Sequence, residues 1–201
     1  MKRFLTLFSF LFHPIVIPLL TTLIYFYITF QYFDSIELST IIGQITIMTI
    51  LIPITVYKLL QSLGKIRSSV MLHSREERAL PFAINIVLLL LLKYYVLYNN
   101  SAYTLNLYFN GLIVSYTLLL IGSLIKHKYS VHATLLLSSI TFIIFLMIAN
   151  QSNNIVLLNT LLLITGITLS SRLYLQAHTS KEIIIGILIG GLPQAIMWLN
   201  I

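Results

Sequence analysis

"ATLLLSSITFIIFLMIA", residues 133–149, carries no charged residue. A helix needs about 17–25 predominantly apolar residues to cross the hydrocarbon core of a bilayer. This run meets the short end of that range, and it is not alone. Six further apolar segments stand out, at roughly 14–33, 40–60, 81–98, 104–125, 154–170 and 183–199. Residues 4–12 (FLTLFSFLF) either lengthen the first helix or lie at the interface. The composition agrees. Of 201 residues, 58% are hydrophobic and 8% charged, too few to cover a water-soluble globule with polar surface. The expected fold class is all-α, a polytopic membrane bundle of six to seven transmembrane helices. No internal repeat, low-complexity tail or Pro/Gly/Ser-rich linker divides the chain, so a single membrane-embedded domain over 1–201 is expected.

There is no cysteine, which excludes disulfides, Cys-ligated zinc and thiol catalysis. Met1-Lys2-Arg3 before an apolar run imitates a secretory signal, but no small-residue cleavage pattern follows. A retained first helix is expected. The net charge of +7 does not point to nucleic acid, because basic residues at the ends of spans are ordinary topology signals.

Those charges are uneven. The polar connections alternate between two faces. One face holds the N-terminus and the loops 58–80, 126–132 and 171–182. It carries Lys2, Arg3, Lys58, Lys65, Arg67, Arg75, Arg78, Lys126, Lys128, Arg172 and Lys181, while Lys93 alone lies towards the other. The positive-inside rule makes the charged face cytoplasmic. An integral protein of a bacterial inner membrane is the expectation.

Three polar clusters share the charged face: "HSREERALP" (73–81), "KHKYSVH" (126–132) and "SRLYLQAHTSKE" (171–182). Ionisable groups at membrane depth are costly, which makes them markers of function. If the third cluster is helical, His178 and Glu182 lie four apart on one face. A carboxylate there accepts a hydrogen bond from one imidazole nitrogen and leaves the other as nucleophile or base. Arg172 is six residues before His178 and can reach a common ligand, and a guanidinium matches phosphate oxygens bidentately. Two His, one supporting carboxylate and at least three Arg suit phosphoryl transfer through a phosphohistidine. His13, His73 and His127 are expected to be structural or exposed. Gly186 and Gly190 form a small-xxx-small pair that draws the last helix against a neighbour.

These clusters resemble the signatures of the type 2 phosphatidic acid phosphatase (PAP2) superfamily, over about residues 67–190. The third signature is Ser-Arg, five residues, His, three residues, Asp. Here it reads Ser171-Arg172, five residues, His178, three residues, Glu182. "YSVH" (129–132) resembles Pro-Ser-Gly-His, with Tyr129 for Pro and Val131 for Gly. "REERALP" stands where a Lys six residues before Arg-Pro would be. Arg78 is followed by Ala79-Leu80-Pro81, and Met71 precedes it where the Lys is expected. The resemblance implies His178 as nucleophile, Glu182 as its orienting partner and His132 as acid for the leaving group. Arg172, Arg78 and Arg75 hold phosphate, with Ser130 assisting and Arg67 as a reserve. It implies no metal and no other cofactor. The implied activity is hydrolysis of a lipid phosphate monoester or pyrophosphate. Lipid phosphotransfer is the second reading, and a degenerate lipid- or anion-binding or transport protein the third. Members of the superfamily commonly carry the site on the outer or lumenal side, whereas the charge bias here puts it inside. A cytoplasmic site suits a biosynthetic lipid phosphate, and an outer one a polyprenyl pyrophosphate. The implied partners are the bilayer and its lipid phosphate, not nucleic acid.

Overall fold

The structure, a computed structural model, describes residues 2–29, 32–65, 76–97 and 102–199. Among these it is helical throughout, with no strand. The helices are α1 (Lys2–Leu11), α2 (Ile17–Thr29), α3 (Ser35–Thr46), α4 (Ile52–Ser62), α5 (Ala79–Leu92), α6 (Tyr103–Leu124), α7 (Val131–Ala149), α8 (Ile155–Tyr174) and α9 (Ser180–Leu199). They form seven segments long and apolar enough to cross a membrane: Leu5–Thr29, Ser35–Ser62, Ala79–Leu97, Tyr103–Leu124, Val131–Ala149, Ile155–Tyr174 and Ser180–Leu199. The protein is an all-α integral membrane bundle. His73, Arg67 and Arg75 lie outside the described residues.

Two segments depart from simple continuous helices, each for a local reason. Residues 4–12 do not run straight into the first span. The chain breaks at Phe12-His13, and a single 3₁₀ turn (Pro14–Val16) leads into α2. Pro14 has no N–H to continue α1, and its fixed φ suits a helix start. The second segment holds Pro53, whose ring clashes with the carbonyl four residues back, that of Thr49. A π-helical turn at Ile47–Leu51 absorbs the misfit between α3 and α4. A second π turn, Lys93–Leu97, closes the third segment, with the Lys93 ammonium 5.4 Å from the Tyr94 ring centre.

α9 packs between α6 and α7. Lipid tails are as apolar as leucine, so close contact and internal hydrogen bonds hold such helices together, not burial from water. At Gly186 a Cβ would lie 2.7 Å from the Ser130 carbonyl, and at Gly190 it would collide with the Thr134 carbonyl. The two glycines let the α9 backbone rest on that of α7, as the small-xxx-small spacing implies. On its other side, Pro193 interrupts the ladder of α9 and leaves the Ile189 carbonyl without its intrahelical donor. Ser115 of α6 donates to that carbonyl at 2.9 Å. Ser115→Ala is expected to cost about 1 kcal/mol by orphaning the carbonyl where water cannot reach it. A thermal unfolding scan in detergent would read this as a lower midpoint, and an unchanged midpoint would show that the bond contributes nothing.

The bundle core is apolar, with Leu105, Tyr108, Phe109 and Leu112 of α6 meeting Leu135, Phe142 and Ile143 of α7. It contains one polar knot. Thr21 and Ser139 hydroxyls lie 2.6 Å apart, and the Tyr108 hydroxyl donates to Thr21 at 3.2 Å. Gln194 donates to the Tyr108 carbonyl at 2.8 Å and to the Ser138 hydroxyl at 2.9 Å. These bonds join α2, α6, α7 and α9 at membrane depth.

Candidate active site

At one end of the bundle the connecting loops tie to one another. Arg78, at the head of α5, donates to the Tyr129 carbonyl at 3.3 Å. The Ser130 amide donates to the Glu182 carbonyl at 3.2 Å. Lys128 donates to the Ala177 carbonyl at 3.1 Å. The three polar clusters therefore meet at one place.

The turn after α8 positions the third cluster. Gln176 adopts a left-handed φ of 52°, and the Ala177 amide closes on the Arg172 carbonyl at 3.0 Å. That helix end, with residues bonding back over the last turn, reverses the chain. It lets Arg172, on the last turn of α8, and His178, just before α9, face the same space. α9 then starts with a capping box. The Glu182 amide donates to the Thr179 hydroxyl at 3.3 Å, and the Glu182 carboxylate accepts from the Thr179 amide at 3.2 Å. The same carboxylate oxygen lies 2.9 Å from His178 Nδ1. The four-residue spacing expected to act along a helix face acts instead across a helix start. His178 precedes the helix, and Glu182 reaches back to it.

A cavity of about 190 Å³ opens beside this pair. His13, Lys58, Arg78, His132, Arg172 and His178 line its polar end. Apolar residues of the α2, α4 and α5 segments, Pro18, Pro53, Ile54, Phe82 and Leu88 among them, line the rest. Among the described lining residues there is no carboxylate, so three fixed positive charges face the space with three imidazoles and the neutral polar groups of Thr49, Tyr57, Asn85 and Tyr116. Glu182 stands behind His178, in an outer recess shared with Lys128, Gln176 and Thr179.

Each sequence-derived residue has a definite place. His178, His132, Arg172 and Arg78 are all buried and line the cavity. Ser130, expected to assist with phosphate, is the N-cap of α7. Its hydroxyl accepts from the Ala133 amide at 3.4 Å. Val131 lines the cavity where the superfamily pattern has glycine. Tyr129 packs its ring where a Cβ on Gly122 would be, which sets the carbonyl that Arg78 binds. His127 stacks on Tyr129 with ring centres 5.8 Å apart. Lys58, read as a topology signal, is exposed and lines the cavity.

The sequence reading missed the α1 side of the site. Arg172 donates to the Ser9 hydroxyl at 3.1 Å, and His132 Nε2 lies 3.4 Å from the Ser9 carbonyl. That carbonyl is free because of the break. The His13 amide, which would close on Ser9 in a continuous helix, donates to Phe10 at 3.2 Å. The negative end of the α1 dipole thus points at a guanidinium and an imidazole. A His-Pro pair inside an apolar run, preceded by a Ser one turn earlier, was the available signal.

Electrostatics set the protonation state of His178. Burial pushes its pKa down from 6.5 to about 4; Glu182 opposes the shift, while Arg78 and Lys128 add to it. Burial also lowers Arg78, opposed by Glu182 and reinforced by Arg172, but a guanidinium stays charged. At neutral pH His178 is therefore neutral, with its proton on Nδ1 towards Glu182 and a lone pair on Nε2. The sign for stability follows. The unfolded chain binds the proton more readily than the folded one between pH 6.5 and about 4. Stability is therefore unaffected above that window and falls as pH drops through it.

Comparison with protein-family models, characterised proteins and solved structures finds nothing that matches the chain.

Proposed function

We propose that the protein is a lipid phosphate phosphatase of the membrane, a diverged member of the type 2 phosphatidic acid phosphatase superfamily. The observation that carries this reading is the His178–Glu182 pair, 2.9 Å apart, at the edge of a cation-lined, apolar-walled cavity. An apolar chain fits the wall between α2, α4 and α5, and a phosphate fits the polar end.

His178 Nε2 attacks phosphorus, and the bond from phosphorus to the lipid oxygen breaks with its electron pair on that oxygen. His132 supplies the proton to that oxygen. With Nε2–H of His132 donating to the Ser9 carbonyl, Nδ1 holds a lone pair, and it takes the proton of the monoanionic phosphate headgroup and passes it to that oxygen. Arg78 and Arg172 neutralise the equatorial oxygens as charge develops. Water then attacks the phosphohistidine and gives its proton to His132. The P–N bond breaks, its electron pair returns to Nε2, and inorganic phosphate leaves with the proton held on Nδ1 of His132. For a pyrophosphate substrate the leaving group is the lipid monophosphate. The positive charge at the site's end of the bundle supports a cytoplasmic active site in a bacterial inner membrane.

The reading is tested by incubating purified protein with lipid carrying ³²P-phosphate, in detergent with EDTA, and quenching in alkali. An acid-labile, alkali-stable label on the peptide containing residue 178 is expected, along with phosphate release. Phosphate release without that label would sink the phosphohistidine.

Replacement of Glu182 by glutamine separates orientation from protonation. The amide oxygen still accepts from Thr179 and His178, so the helix start survives. Without the carboxylate, His178 loses the charge that steadies its developing imidazolium character, and kcat/KM is expected to fall about 10²-fold. Wild type should lose activity in acid with a midpoint near pH 4, where His178 takes up its second proton. In Glu182→Gln that limb should move lower, because the carboxylate is what raises the imidazole pKa. A pH–rate profile in both proteins reads this, and a limb near 6.5 in wild type would contradict it.

A further inference from the structure

We propose that His13 is an additional anion ligand of the cavity, supplied by a part of the chain that lies outside the resemblance region. The proposal rests on the reading of this cavity as a phosphate site. Its ground is the bonding around the break after α1. His13 is the N-cap of the turn Pro14–Val16, and its Nδ1 accepts from the Ile15 amide at 3.3 Å. An imidazole that accepts through Nδ1 carries its proton on Nε2. Nε2–H is thus a donor with no role in the cap, on a ring that lines the cavity.

The ring also stands in the right company. Its centre is 6.0 Å from that of His132, in an edge-on arrangement. Four residues earlier Ser9 holds Arg172 through its hydroxyl and His132 through its carbonyl. One segment, 9–13, therefore touches the Arg172 guanidinium and the His132 imidazole and carries His13 itself. A tetrahedral oxyanion held by Arg172 and facing His132 has a third oxygen to satisfy, and the Nε2–H of His13 can meet it. A neutral donor here adds a hydrogen bond without adding a fourth fixed charge to the cationic lining of the cavity. The ligand class is a tetrahedral oxyanion, either a lipid-borne phosphate or free orthophosphate. Ser9 is a positioning residue in this arrangement.

Two substitutions separate a ligand from a cap. In His13→Asn the side-chain oxygen caps the Ile15 amide as the imidazole does, since Asn is a favoured N-cap, but no N–H reaches as far as Nε2. In His13→Phe the ring volume stays and both nitrogens go. The probe is orthovanadate, titrated calorimetrically into purified full-length protein in detergent. Each variant is expected to bind it about tenfold more weakly than wild type, while KM for the lipid phosphate rises more than kcat falls. Vanadate affinity and KM unchanged in either folded variant would overturn the proposal. If wild type binds vanadate but hydrolyses no lipid phosphate, the phosphatase reading fails, and the vanadate affinities still decide the role of His13. If wild type binds no vanadate, both fail. Were neither variant to fold, the side-chain ¹⁵N signals of wild-type His13 would read the same contact. Movement on adding orthophosphate supports it, and no movement overturns it. A lipid phosphate that competes with vanadate identifies the lipid-borne source, and competition by orthophosphate alone identifies the free ion.

Discussion

Alanine at position 178 is expected to remove turnover, lowering kcat on the order of 10⁴-fold or more. In the proposed reaction the imidazole forms the bond to phosphorus, and it is the lining imidazole whose other nitrogen is held by a carboxylate. Lys58 and the two arginines are cationic, and His132 is committed to Ser9 at one nitrogen. The effect on folding is expected to be small. His178 lies before α9, and the capping box between Thr179 and Glu182 closes without it. Removing it also removes the loss of stability between pH 6.5 and about 4, so the variant should melt higher than wild type in that window. Phosphate release from a lipid phosphate panel, read beside melting curves at pH 5 and pH 7, checks both halves. Retained turnover would end the phosphohistidine mechanism.

Leucine at position 190 is expected to damage the bundle as a whole. A Cβ there meets the Thr134 carbonyl, a backbone atom that cannot swing aside. α9 must then withdraw from α7, which breaks the seat of Gly186 on Ser130 and pulls the Glu182 carbonyl from the Ser130 amide. The cost is expected to be about 3 kcal/mol or more. Activity should fall with it, because the head of α9 carries the Glu182 that orients His178. Gly166 is the contrasting case. It lies in α8 with nothing within 4 Å of an added Cβ, so Gly166→Ala should be neutral or slightly stabilising. Comparing the two in a detergent melting series tests the packing directly. Equal effects would show that residue type, and not contact with α7, governs.

Much of the fold was legible because the bilayer imposes a simple rule. Every backbone group inside it must be satisfied by the protein, and a helix does so along its own length, so long uncharged runs such as 133–149 are helices. The breaks were harder. The π turn at 47–51 follows from Pro53, but a proline in an apolar run is read from sequence as tolerated. What it does to the ladder depends on neighbours. The same holds for Pro193, whose orphaned carbonyl finds Ser115 some 74 residues earlier in the chain. At the site, the spacing of Arg172, His178 and Glu182 brought out the pair, and the structure gave it another geometry. "TSKE" at 179–182 is a capping-box pattern, so the helix start itself was readable. The parts of the site from α1 were not. Ser9 and His13 matter only because a break turns one carbonyl and one ring towards a helix end about 120 residues away; the His-Pro pair signals the break but not the partner it meets.

The capping box has a dynamic consequence. The Glu182 oxygen that accepts from Thr179 is the one bonded to His178. Fraying of the first turn of α9 therefore releases the imidazole at the same moment, and the lone pair no longer has a fixed aim. Order at a helix end and readiness to react are one equilibrium here. For the proposed reaction, local opening of this first turn would be enough to stop turnover while the membrane helices stay packed.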